Sequence, residues 1–98
     1  MTRDDALRLL AEHKAELADE FGVTAIYLYG SVARNEAGPE SDVDVLVELG
    51  RRPFGYFQFF RLQERLSGIL GAPVDLGTPG ALRSRIRDEI LHEAIRAA

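Results

Sequence analysis

Asp42 and Asp44 are separated by a single residue in a stretch, DVDVLVEL (42–49), that alternates polar and apolar side chains. Strand periodicity puts Asp42, Asp44, Leu46 and Glu48 on one face and Val43, Val45, Val47 and Leu49 on the other. The two carboxylates then leave one face about 6 to 7 Å apart along the backbone. Like charges so placed repel unless something positive lies between them. No histidine or cysteine is close in sequence, so the donors are oxygen alone, a set that suits Mg²⁺ or Mn²⁺ shared with substrate phosphates. For a D-x-D pattern standing alone, the plainer alternative is a strand face wetted by solvent.

Gly30-Ser31 lies upstream, where the apolar run VTAIYLY (23–29) stops. Glycine lets the chain turn so that successive backbone N–H groups and the Ser31 hydroxyl converge on one point, as an anion-binding nest requires. A helix beginning at Ser31 or Val32 would add its dipole to such a site. Arg34, one turn on, could offer a charged fork to the same anion; its alternative is a surface pair with Glu36. Glu36 and Glu40 read as solvated loop charges.

Together these residues spell Gly30-Ser31, ten intervening positions, then Asp42-Val43-Asp44. With that motif the chain resembles the polymerase-beta-like nucleotidyltransferase superfamily. Its length and the run YGSVARNEAGPESDVDVLVEL are similar to the minimal nucleotidyltransferase (MNT) domains, above all the MntA antitoxins that are paired with HEPN-domain toxins. The likeness continues through Pro73-Val74-Asp75-Leu76 and the terminal LRSRIRDEILHEAI.

The resemblance implies a small nucleotidyltransferase fold, with a short three- or four-stranded mixed sheet flanked by helices. It also implies a third site carboxylate on a later strand, which falls on Asp75. Read without it, Asp75 is equally a strand-end residue capping Gly77 and Thr78. The implied chemistry is transfer of AMP from ATP to a hydroxyl, with release of pyrophosphate. Gly30, Ser31 and Arg34 would hold the nucleotide phosphates, and Asp42, Asp44 and Asp75 would bind two Mg²⁺ ions and assist the acceptor. Two such ions, about 3.5 to 4 Å apart, stabilise the attacking and leaving oxygens of an in-line displacement. The implied acceptor is a tyrosine of a partner HEPN ribonuclease toxin. Two other readings stand beside it: a non-catalytic module that binds nucleotide or toxin, and a small-molecule nucleotidyltransferase. One departure from the family pattern G-S-x-A-R-G is Asn35 in the last position; asparagine is well suited to replace a glycine with positive φ, so the turn is expected to survive.

The elements that must carry these residues are legible in the periodicity. Leu7, Leu10, Ala11, Leu17, Ala18 and Phe21 have helical spacing, with Thr2 or Asp4 as cap and Gly22 as stop, which predicts one helix of about five turns. Strands follow at Val23 to Tyr29 and Asp42 to Leu49, then a helix over Phe54 to Leu70 closed by Gly71, and a short strand over Pro73 to Leu76. A last helix has Leu82, Ile86, Ile90 and Ala94 on one stripe, with Thr78 as cap and Pro79 at its first position. Three strands with flanking helices make a small α/β or α+β fold, read as one domain over residues 1–98.

In the second long helix Phe59, Leu62, Leu66, Ile69 and Leu70 share a core stripe, whereas Phe57 and Phe60 point toward its polar side. They are either partner anchors or residues packed beneath the first helix. Arg83, Arg85 and Arg87 read as a solvated helix face, with contact to a partner or nucleotide as the alternative. His13 and His92 lack ligand spacing.

Composition narrows the classes. The chain has 98 residues, 12 basic and 16 acidic side chains and a net charge of −4, so it lacks the basic excess of a nucleic-acid binder. It has no cysteine, which removes disulfides and thiolate chemistry. The polar start MTRDD is unlike a secretory signal, and no stretch approaches the roughly 18 apolar residues of a membrane span. A cytoplasmic protein is expected, with its own oligomeric state left open. At this length an acceptor-binding domain is not expected, so the substrate completing the site should be another protein.

Overall fold

A computed structural model describes residues 1–36, 38, 42–51, 54–78 and 84–98. The N-terminal segment forms α1 (Arg3–Glu12) and α2 (Lys14–Phe21) rather than one continuous helix. Thr2 caps α1 by accepting a hydrogen bond from the Asp5 N–H at 3.2 Å. The break falls at His13, whose backbone leaves the helical region (φ −100°, ψ 4°) and whose ring pairs with Glu16. The buried stripe becomes Ala6, Leu10, Leu17 and Phe21, while Ala11 turns to solvent. Gly22, at φ 76°, ends α2 in the left-handed conformation that glycine adopts freely.

β1 (Val23–Tyr29) runs into a single helical turn, α3 (Gly30–Ala33), and the chain returns as β2 (Val43–Leu49). α4 (Tyr56–Leu70) buries Leu62, Leu66 and Leu70 and stops at Gly71, where φ is 67°. β3 (Val74–Gly77) is followed by α5 (Ser84–Glu93). The expected cap Thr78 is described, but Pro79, Leu82 and Arg83 lie outside the described residues, as do the side chains of Arg85, Ile86 and Arg87. The terminal helix does not reach Ala94 as part of its stripe: it ends at Glu93, and β4 (Ile95–Arg96) pairs with β1 instead.

The sheet is mixed, in the order β3-β2-β1-β4. β2 is antiparallel to β1 and parallel to β3, and β4 is antiparallel to β1. Register explains the two faces. Ile26 opposite Val47, Leu28 opposite Val45, Val43 opposite Val74 and Val45 opposite Leu76 make one apolar face. These residues join the helical stripes in one core. Each fully buried aliphatic side chain there contributes about 1.5 to 3 kcal/mol.

The other face carries Tyr29, Asp44 and Asp75 in one row and Tyr27, Leu46 and Gly77 in the next. Leu46 is 0% exposed although it belongs to this polar face. Tyr27 beside it reaches the Glu48 carboxylate at 3.4 Å. Phe57 and Phe60, 83% and 50% exposed, point away from the core on α4. No helix of the described residues is long and apolar enough to cross a membrane.

Candidate active site

Three strand ends assemble the site. β1 delivers Tyr29 and then Gly30, β2 starts with Val43 directly after Asp42, and β3 brings Asp75 alongside Asp44. Two bonds set the third strand: the Val43 N–H donates to the Pro73 carbonyl at 2.8 Å, and the Gln63 side-chain amide donates to the Val74 carbonyl at 3.0 Å. The second bond ties β3 to α4, so the helical layer fixes the height of Asp75.

Gly30 has φ +73°, and a β-carbon built there would lie 2.9 Å from Asp44 Cγ and 3.2 Å from Asp44 Cβ. Only glycine satisfies both the backbone conformation and this close approach. Glycine at this position therefore seats the Asp44 carboxylate against the turn. Ser31 follows within α3, whose single turn sums few peptide dipoles, so the dipole contribution open from the sequence is small. Asn35 takes φ 60°, and the turn survives the departure from glycine.

Asp44 holds its proton more tightly than an ordinary carboxylic acid. Partial burial is the main cause, with Asp75 and then Asp42 adding like-charge repulsion, and the Arg34 charge opposing them. Tyr29, opposite Asp44 across the β1–β2 ladder, has its phenol pKa raised by burial and by the charges of Asp44 and Asp75. It stays a neutral hydroxyl facing two carboxylates.

Asp42 is exposed and precedes β2 rather than belonging to it. Asp75 is exposed as well, and among the described residues its carboxylate accepts no hydrogen bond from Gly77 or Thr78. The strand-end cap is therefore not what holds it. Arg34 is engaged by carboxylates at two points: its Nε donates to Glu36 at 3.1 Å and its Nη1 donates to Glu93. The Glu36 pair, which the sequence offered as the alternative to a phosphate contact, is present.

Oxygen-only donors and the mutual repulsion at Asp44 are the chemistry a hard divalent cation relieves. The residues fit such an ion by type. Among the described residues, however, no group of three or more His, Asp or Glu side chains is arranged to hold one. Asp44 and Asp75 share a row, and the exposed Asp42 would have to close on them.

The sequence pattern leaves out two residues of this neighbourhood. Tyr29 precedes the glycine and falls on the site face by strand alternation, a signal that was available. Glu93 is brought in by β4, a two-residue strand without a periodicity of its own.

This mixed sheet, with a glycine-serine turn and carboxylates on adjacent strands, is the frame of a nucleotidyl-transferring domain. Residues 10–97 match the family model of the nucleotidyltransferase domain, and the chain belongs to that family. The protein adenylyltransferase MntA of Thermococcus cleftensis is 38% identical over 95 residues, which cover 97% of this chain and 95% of that protein. A solved minimal nucleotidyltransferase is 35% identical with a TM-score of 0.80, over 97% of this chain and 95% of its own. The fold also recurs, at 18% identity and a TM-score of 0.67, in the structure of a tri-AMPylated Shewanella oneidensis HEPN toxin in complex with an MNT antitoxin. That match covers 94% of this chain and 71% of the other.

Proposed function

We propose that this protein is a metal-dependent protein adenylyltransferase of the antitoxin kind, moving AMP from ATP to a tyrosine hydroxyl of a HEPN-domain toxin and releasing pyrophosphate. The observation that carries the reading is the packing of Gly30 on Asp44, with Asp75 in register beside it. That arrangement sets the glycine-serine turn against a pair of carboxylates. Similarity to the Thermococcus adenylyltransferase along nearly the whole chain supports the reaction class. The shared fold of the MNT antitoxin seen with its toxin supports the partner.

Each residue has a part. The Gly30 and Ser31 amides and the Ser31 hydroxyl bind the nucleotide phosphates, and Arg34 offers them a guanidinium. Asp42, Asp44 and Asp75 would hold Mg²⁺, which when bound neutralises charge on the phosphates and the leaving pyrophosphate. Asp75 faces the acceptor side and accepts the hydroxyl proton. Little covalent work falls to the protein, since positioning and charge neutralisation supply most of the rate in such transfers.

The test combines the purified chain, a HEPN-domain partner, Mg²⁺ and ATP, with intact-mass measurement of both proteins. An adenylate gain on the partner, mapped to tyrosine and lost on chelation, is expected. A gain that survives Asp42→Asn with Asp44→Asn would remove those residues from the site.

A further inference from the structure

We propose that Glu93 is a positioning residue for nucleotide binding, holding Nη1 of the Arg34 guanidinium so that its remaining nitrogen, Nη2, faces the phosphate site at Gly30 and Ser31. The inference rests on the reading of Gly30, Ser31 and Arg34 as the phosphate site, and extends it to the end of α5.

The placement of Glu93 follows from the sheet. Leu28 pairs with Ile95 and Tyr27 with Arg96, so β4 runs antiparallel to β1. The residues just before Ile95 therefore lie level with the end of β1, where the turn at Gly30 begins. Further backbone bonds pin the tail: Ile26 N–H donates to the Ala98 carbonyl at 3.1 Å, and Ala97 N–H donates to the Ile26 carbonyl at 2.8 Å. Glu93, the last residue of α5, reaches Arg34 across 59 positions of sequence.

Arg34 is gripped by Nε and Nη1, on Glu36 and Glu93, which fixes the plane of the guanidinium. Among the described residues, its Nη2 carries no hydrogen bond. Nε and Nη1 lie on different sides of the planar fork, so with both engaged the group left for a ligand is Nη2 with its two N–H donors. The Arg34 backbone N–H donates to the Gly30 carbonyl at 3.1 Å, so the residue is rooted on the turn that forms the phosphate site.

The half-exposed Arg34–Glu93 pair contributes little to stability by itself. Its value is orientation. The sign of the effect separates this from simple electrostatics. Glu93 is an anion near a site for polyanions, so a pure charge effect makes its removal strengthen nucleotide binding. Loss of a positioning contact weakens it.

The experiment measures binding of Mg²⁺ and a non-hydrolysable ATP analogue by calorimetry to the full chain and four variants. Glu93→Ala is expected to weaken binding about tenfold, the scale of one charged hydrogen bond. Glu93→Gln, which keeps an acceptor, should lose about threefold or less on the same scale. Arg34→Ala should weaken binding at least as much as Glu93→Ala, and the double variant no further, because both act through one contact. Glu20→Ala, which breaks the separate Arg65–Glu20 pair, should leave binding unchanged. Melting temperatures recorded alongside separate a folding defect from a site defect. Unchanged or tighter binding by Glu93→Ala, or additive losses in the double variant, overturns the proposal. A wild-type chain that binds no analogue overturns the phosphate-site reading itself.

Discussion

Gly30 and Asp44 occupy each other's space: the glycine has no side chain, and the aspartate carboxylate lies where one would be. The turn and the acid thus form one unit, although they come from different strands.

Gly30→Ala should cost about 1 to 2 kcal/mol for the left-handed backbone alone, plus a term for displacing Asp44. In an Asp44→Ala background the carboxylate part of that term should vanish, leaving the backbone part and the close approach to the β-carbon at 3.2 Å. Urea unfolding of the four proteins reads the coupling, and equal costs in both backgrounds would show that the contact carries no energy.

Asp44 should destabilise the metal-free fold at neutral pH, because burial, Asp75 and Asp42 raise its proton affinity. Between the ordinary carboxylate pKa and the raised one, the native state binds more protons than the unfolded state. Stability is therefore highest below the ordinary pKa and falls as pH rises through the raised one. Asp44→Asn should melt higher than wild type at pH 7 without metal, and should lose that part of the pH dependence. Mg²⁺ should raise the wild-type melting temperature more than that of the variant.

Leu46 is fully buried on the site face, in one row between Tyr27 and Gly77. Leu46→Ala should cost about 2 to 5 kcal/mol. Chemical denaturation checks the value, and a loss under 1 kcal/mol would mean that the face collapses around the gap.

Asn35 holds φ 60° in the turn after α3. Asn35→Val should destabilise by about 1 to 2 kcal/mol, since a β-branched residue is strained there. Asn35→Gly should be neutral or mildly stabilising, as glycine adopts this backbone without strain. Thermal melts of both variants compare the two signs.

Phe57 is 83% exposed. Phe57→Ser should leave folding stability within about 0.5 kcal/mol, as surface substitutions do. A large loss would place the ring against the fold in solution.

Much of this protein is written locally. The alternation of residues 43–49 determines which β2 side chains enter the core, and Val43, Val45 and Val47 do. Gly22 and Gly71 end helices because they alone tolerate the left-handed turn without strain. The motif joins the end of β1 to β2, and the antiparallel pairing of those two strands brings Asp44 to the Gly30 turn. Tertiary structure decided the rest. His13 divides a stripe that by spacing alone could have stayed continuous, and the core then selects Ala6 and Leu10 in α1, with Leu17 and Phe21 in α2. Asp75 gained its place beside Asp44 from the parallel register of β2 and β3, and Glu93 gained its place beside Arg34 from two residues of β4. Pairings between distant segments leave no periodic trace, because their energy comes from partners far away in sequence rather than from neighbours.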